Sequence, residues 1–297
     1  MTVFQYQPIE PPHPSRPESG ERDDIENQYI ENRDRPIERW TERMWRLAAL
    51  PMLVFFILPI LVLFSYSSFS ELIKSLEDPG VRNAIMVSLR TTFLSLFLII
   101  LFGTPLAYLL GRHRFPLHRA VDALVSLPTV LPPSTAGVAL LLALGRQSTM
   151  GGFLADIGLP LSFTSGAVIL AQVFIAAPYF ITAAALGFAS VDNELIQAAH
   201  LDGANSWQAF RFIVYPISRV ALISGAVLSW SRALGEFGAT IIFAGNFPGR
   251  TQTMPMAIYL GFESNLTNAI TLSIILILIS FGALLAVKSL VSRAAQP

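Results

Sequence analysis

The chain has 297 residues, 53% of them hydrophobic, and its 20 Lys and Arg balance 20 Asp and Glu to a formal net charge of zero. That apolar fraction exceeds the usual globular value and comes in long blocks. The absence of cysteine excludes disulfides, thiolate metal sites and thiol nucleophiles, and no basic domain points to nucleic acid.

Residues 1–36 read as a disordered cytoplasmic tail, with Pro8, Pro11, Pro12, Pro14 and Pro17 set among charges. A regulatory arm is the alternative for this stretch. It is not a signal peptide, because it lacks an early apolar core and a small-residue cleavage site. Over 37–46, Ile37, Trp40 and Met44, with Leu47 beyond, can share one helical face among arginines. This pattern predicts a short interfacial helix leading into the membrane.

A membrane-spanning helix needs about 20 mainly apolar residues. Six segments within 47–291 qualify, near 47–65, 84–110, 121–144, 166–188, 219–244 and 268–291. Residues 292–297 form a second short tail. Prolines and glycines punctuate the spans. Gly103 and Pro105 interrupt the second, Pro128, Pro132 and Pro133 the third, and Pro178 the fourth, while Gly235 and Gly238 loosen the fifth. One bent helix is ordinary packing, but several bent neighbours favour a translocation pathway over a plain anchor bundle.

Lys and Arg crowd alternate connections. Arg39, Arg43 and Arg46 precede the first span, Arg112, Arg114 and Arg119 follow the second, Arg211 and Arg219 follow the fourth, and Lys288 and Arg293 close the sixth. The other connections hold fewer, namely Lys74, Arg82, Arg146 and Arg250. The richer set is cytoplasmic by the positive-inside rule, which places both termini inside.

The connection over 189–218 is too long and too patterned for a simple turn. Ser190 or Asp192 can cap a helix in which Leu195, Ala198 and Ala199 recur at helical spacing. Asp202-Gly203 breaks it. Asn205 or Ser206 can cap a second helix, with Trp207, Phe210 and Val214 along one side and Pro216 as its limit. Two readings fit this pattern: an amphipathic loop resting on lipid, or a knob made for a partner's groove.

Arg232 and Glu236 stand four residues apart at membrane depth, where a charge costs about 2.5–3.5 kcal/mol on insertion scales unless paired or wet. They form either a structural ion pair or a polar lining of an anion path, for which Arg has matching donors. Enzyme chemistry has no support. There is no phosphate loop ending in Gly-Lys-Ser/Thr, and His13, His113, His118 and His200 form no metal pair on one helix face.

Gln197-Ala198-Ala199, Gly203, Ile213 and Tyr215-Pro216 resemble, at unchanged spacing, the cytoplasmic "EAA" loop of ABC-importer permeases, with Gln197 in place of Glu and Tyr215 in place of Leu. Leu127-Pro128, Leu131-Pro132-Pro133 with Gly137, and the runs 232–240, 243–246 and 248–253 resemble the molybdate/tungstate branch of that family, with sulfate/thiosulfate permeases as the alternative. The resemblance implies an all-α membrane protein of the type I importer fold, with six transmembrane helices and cytoplasmic coupling helices, in a prokaryotic cytoplasmic (inner) membrane. It implies a homodimer, two cytoplasmic ATPase subunits that carry ATP and Mg, and an extracytoplasmic oxyanion-binding protein. This chain would hold no cofactor of its own. Gln197, Ala198, Ala199, Leu201, Gly203, Ala204 and Trp207 would dock the ATPase, and Arg232, Glu236, Pro132, Pro133 and Thr240 would border the pathway. Readings from other classes are an ATP-independent secondary transporter or channel, and a membrane scaffold or sensor worked by the N-terminal tail.

Overall fold

A computed structural model describes residues 36–294, and among these every regular element is a helix. The expected tails, 1–36 and 292–297, lie outside the described residues except for Pro36 and the end of the last helix. The chain divides into two units, one ending at Val62 and one starting at Leu63. Helix α1 (Pro36–Ser65) runs through 37–46 without a break and continues past Pro51 and Pro59. Its Arg43–Ser65 portion is long and apolar enough to cross a bilayer.

The second unit begins with the short helix α2 (Phe69–Glu77) and the long α3 (Pro79–Arg112). Ser68 starts α2 with a capping box: its Oγ accepts from Glu71 N at 3.3 Å, and Glu71 Oε2 accepts from Ser68 N at 2.9 Å. Asp78 starts α3. Its Oδ1 accepts from Gly80 N at 2.7 Å, and its Oδ2 accepts from Asn268 Nδ2 at 3.0 Å. The amide of Asn268, followed by the backbone donors, holds the Asp78 carboxyl below its ordinary value.

Next come α4 (His118–Val130), α5 (Pro133–Leu144), α6 (Thr149–Asp156) and α7 (Ser165–Ala189). Helix α7 is the centre of this unit, with α3 and α10 (Tyr215–Leu234) packed along it. Its core positions include Ala171, Ile175, Ala176, Phe180, Ala184 and Phe188, all buried. The small residues let backbones come close. A Cβ on Gly187 would lie 2.5 Å from the Cβ of Ala221, and one on Gly225 would lie 2.9 Å from that of Ala183. Buried polar side chains tie the same helices together. Ser229 Oγ donates to the Ala176 carbonyl at 2.8 Å, Ser218 Oγ to that of Gly187 at 2.9 Å, and Ser95 Oγ to Gln172 Oε1 at 2.9 Å. Between α10 and α3, Trp230 Nε1 donates to the buried Thr92 Oγ1 at 3.1 Å.

The expected second and fourth spans are continuous helices. Gly103 and Pro105 do not interrupt α3, nor does Pro178 interrupt α7. Gly103 is instead a close-approach site, since a Cβ there would lie 3.1 Å from the Phe180 ring and 3.2 Å from Ile181. The third expected span is not one helix. It breaks at Leu131-Pro132, and α4 and α5 diverge by 117°. Two successive prolines remove two backbone donors, and the residue before a proline is pushed out of the helical region.

The expected fifth span, 219–244, starts earlier and ends earlier. Helix α10 stops at Leu234 with Gly235 beyond it, and a separate α11 (Gly238–Ala244) follows. Upstream, α9 (Ser206–Ala209) passes through one π-turn, Phe210–Val214, straight into α10. Pro216 therefore does not limit the second knob helix. It sits in the first turn of α10, where a missing donor is tolerated, and the wider turn bonds Tyr215 N to the Phe210 carbonyl. Helices α12 (Met254–Ser264) and α13 (Leu266–Ala294) complete the unit, packed on each other and on α3 and α10. Five helices thus qualify as spans, and a sixth is formed if the bent α4–α5 pair counts as one.

The α7–α10 contact admits no added bulk at Gly225. Gly225→Leu should lower the thermal unfolding midpoint in detergent by the equivalent of about 1–3 kcal/mol, the usual cost of overpacking. Gly282→Ala, where a Cβ meets nothing within 4 Å, should leave it unchanged or slightly raised.

Candidate functional site

Two groups of expected site residues lie in separate places. The first is the connection between α7 and α10. Helix α8 (Asn193–Leu201) begins at Asp192, whose Oδ1 accepts from Glu194 N at 3.0 Å. Its end is closed by backbone donors: Asp202 N reaches the Ala198 carbonyl at 3.0 Å, Gly203 N that of His200 at 3.1 Å, and Ala204 N that of Ala199 at 2.9 Å. Gly203 has φ of 89° with open space around it, so glycine is required for conformation rather than for room. His200 Nδ1 lies 2.8 Å from the Ala204 carbonyl. Asn205 and Gln208 then form a capping box at 2.9 and 2.8 Å, which starts α9.

The result is a projecting helix–turn–helix. No residue of α8 is buried. Leu201 is 89% exposed and Trp207 67% exposed; Gln197, Ala198 and Gly203 are also exposed, while Ala199 and Ala204 are half-buried. Apolar side chains as exposed as Leu201 and Trp207, at the tip of a well-capped motif, are unusual unless something covers them.

The knob rests on a fixed base. Tyr108 packs edge-on against Phe188 at 5.4 Å and Phe210 at 5.5 Å, and Trp207 stacks on Phe210 at 5.7 Å. Arg112, the last residue of α3, closes the base. Its Nη1 donates to the carbonyls of Val191 and Phe188, and its Nη2 to Asn193 Oδ1. One planar guanidinium thus ties α3, the end of α7 and the start of α8 together. In the sequence Arg112 stood only as one of the cations that set the topology. Nothing in its spacing pointed to the latch, because its partners are mostly backbone carbonyls.

The second group surrounds the breaks in the third and fifth spans. Gly238 meets Pro133, where a Cβ would lie 2.8 Å from the proline's own, and a Cβ on Gly137 would lie 2.8 Å from the Ala239 carbonyl. The two broken segments therefore pack on each other, with Ala136, Ala239 and Phe243 buried between α5, α7 and α11. Glu236, in the loop before α11, is 1% exposed. Its Oε1 accepts from Ala239 N at 2.8 Å, and its Oε2 lies 2.8 Å from Arg232 Nη1. The Arg232 side chain is 28% exposed. Thr240 is fully buried and its hydroxyl has no partner among the described residues, as is true of the Ser231 hydroxyl beside Arg232. Pro132 is exposed and Pro133 half-buried. The structure sets Pro133 against Gly238, close in the chain to the Arg232–Glu236 pair and Thr240; Glu236 and Thr240 are buried, Arg232 and Pro133 partly exposed, and Pro132 exposed. Among the described residues, no group of His, Asp and Glu could hold a metal ion.

Residues 103–293 match the family of binding-protein-dependent transport system inner membrane components. The chain belongs to this family. It is therefore a multi-pass permease subunit of an ABC importer, and readings as an ion-coupled transporter, a channel or a tail-driven sensor are set aside. The permease is 37% identical over 211 residues to the molybdenum transport system permease protein ModB of Escherichia coli K12, covering 69% of this chain and 92% of that one. It is 33% identical over 244 residues to the molybdate/tungstate transport system permease protein WtpB of Thermococcus kodakarensis, covering 82% and 92%. A probable sulfate permease, cysT of Chlorokybus atmophyticus, is 29% identical over 248 residues, covering 82% and 87%. Its fold matches that of a bacterial alginate ABC importer with a TM-score of 0.68 at 17% identity, over 89% of this chain and all of that one.

Charged hydrogen bonds of the Arg112 kind contribute about 1.5–3 kcal/mol each. Arg112→Ala should therefore raise amide hydrogen exchange across residues 191–202 by about tenfold or more. Arg112→Lys, which cannot span both carbonyl and amide acceptors, should recover only part of the protection.

Proposed function

We propose that this permease imports a tetrahedral oxyanion, molybdate or tungstate, as a homodimer working with two cytoplasmic ATPase subunits and an extracytoplasmic binding protein. The observation that carries the coupling is the knob, an exposed apolar helix–turn–helix locked to α3, α7 and α10. The excess of Lys and Arg in the connections on its side supports a cytoplasmic position for the knob and for both chain termini. The relatives named for molybdenum and tungstate support the choice of anion. The sulfate-named relative keeps sulfate as the runner-up.

In this reading each ATPase subunit receives one knob. Leu201 and Trp207 enter its groove, and Gln197, Ala198 and Ala199 present a face smooth enough for close helix contact. Gln197 carries no charge, so shape and backbone contacts hold the knob rather than an ion pair. Closure of the ATPase pair on ATP draws the two knobs together. Because the π-turn makes α9 continuous with α10, that displacement passes directly into the helix whose last turn carries Arg232. The α4–α5 and α10–α11 breaks, packed on each other, are the places where the path can open on alternate sides. Arg232 gives the anion a transient partner, and Glu236 prevents the site from holding it.

Ala198→Arg, on an exposed face, should leave folding unchanged and abolish substrate-stimulated ATP hydrolysis in the full complex; retained stimulation would remove the docking assignment. The ion pair separates structure from transport. Arg232→Ala strands a buried carboxylate and should destabilise by about 3–5 kcal/mol. The double variant Arg232→Met/Glu236→Gln should regain stability but not anion uptake, and recovery of both would reduce the pair to a structural role. Calorimetric titration of the cognate binding protein with molybdate, tungstate and sulfate tests the substrate, since tight sulfate binding without molybdate heat would reassign it.

A further inference from the structure

A cavity of about 860 Å³ lies at the far end of the α5–α11 pair from the Arg232–Glu236 ion pair. Its walls come from the turn after α5, the segment before α7 and the connection between α11 and α12. Arg146 enters from the first of these and Arg250 from the last.

The loops that carry these arginines are tied down. Ser148 Oγ donates to the Ala143 carbonyl at 2.7 Å, and its oxygen accepts from Gly151 N at 2.9 Å. Ser165 Oγ donates to the Arg250 carbonyl at 2.8 Å, and Phe163 N to that of Phe243 at 3.3 Å. Gly249, with φ of 71°, sets the backbone just before Arg250. Built turns thus fix the backbone from which the two exposed arginines line one cavity.

We propose that this cavity is a receiving site for the transported oxyanion at the extracytoplasmic mouth, a step before the Arg232–Glu236 gate. This rests on the reading of the chain as an oxyanion importer whose knob faces the cytoplasm. The positive-inside bias leaves few cations on the opposite side, so topology does not account for two arginines lining one cavity there. No Asp or Glu is among the residues that line the cavity, and Gln147 and Ser162 add neutral donors. A concave, uncompensated positive site focuses field lines and raises the local concentration of a dianion. Two guanidinium groups match the oxygens of a tetrahedral anion, where lysines would act only as point charges. The contrast with the interior is functional. Arg232 is neutralised by Glu236 and cannot trap the anion, whereas Arg146 and Arg250 have no carboxylate in the cavity and can take it as it leaves the binding protein.

The test uses the complete complex in proteoliposomes, with the binding protein loaded with radiolabelled molybdate at saturating concentration. Arg146→Gln/Arg250→Gln should lower uptake about tenfold, while its affinity for the binding protein, measured separately by fluorescence anisotropy, stays within about twofold. Arg146→Lys/Arg250→Lys, which keeps the charge but not the paired donors, should recover only part of the uptake and so separates loss of the site from misfolding. Unchanged uptake in the glutamine variant would overturn the proposal. So would a parallel loss of binding-protein affinity, because the arginines would then be contacting that protein's carboxylates and not the anion. Failure of the unaltered complex to import molybdate, tungstate or sulfate would instead overturn the functional reading beneath it.

Discussion

The helical body depends on how closely α3 and α10 can approach α7. In a bilayer the apolar effect does not draw helices together, since lipid tails are as apolar as leucine. Association then relies on close backbone contact and on the few hydrogen bonds that bridge helices. Helix α7 supplies both. Its alanines and Gly187 let α10 come within side-chain exclusion distance, and the carbonyls of Ala176 and Gly187 accept hydroxyl donors from that helix. Gly111 does the same for α3, where a Cβ would lie 2.4 Å from the Ala185 carbonyl.

From that contact the functional parts follow in sequence. Because α3 ends where α7 ends, the Arg112 guanidinium can reach across and fix the first turn of α8. Because α10 lies against α7, the α9–π-turn–α10 run projects beside α8 and not away from it. The knob is therefore an extension of the α3–α7–α10 packing, joined to it by Arg112, the Tyr108–Phe188–Phe210 ring contacts and the π-turn.

The breaks obey the same constraint. Backbone polar groups released at membrane depth need partners in protein. The kink at Pro132-Pro133 and the gap at 235–237 meet each other, with Gly238 against Pro133 and Gly137 against Ala239. Glu236 accepts the Ala239 N–H and, through Arg232, is not left as a lone buried charge.

The sequence alone located the apolar segments and the helix–turn–helix between the fourth and fifth of them, because hydropathy and capping residues act locally along the chain. Asp192, Asn205 and Gly203 were readable as caps and turn for the same local reason. Which punctuated helices would break was not readable. Gly103-Pro105 and Pro132-Pro133 look alike along the chain, yet the first stays straight against Phe180 and Ile181 and the second turns by 117°. Pro216 looked like a stop and proved to be a first-turn residue behind a π-turn. The Arg112 latch and the cavity lined by both Arg146 and Arg250 were equally hidden. Each depends on groups brought together from distant parts of the chain, and only packing around α7 decides where those groups meet.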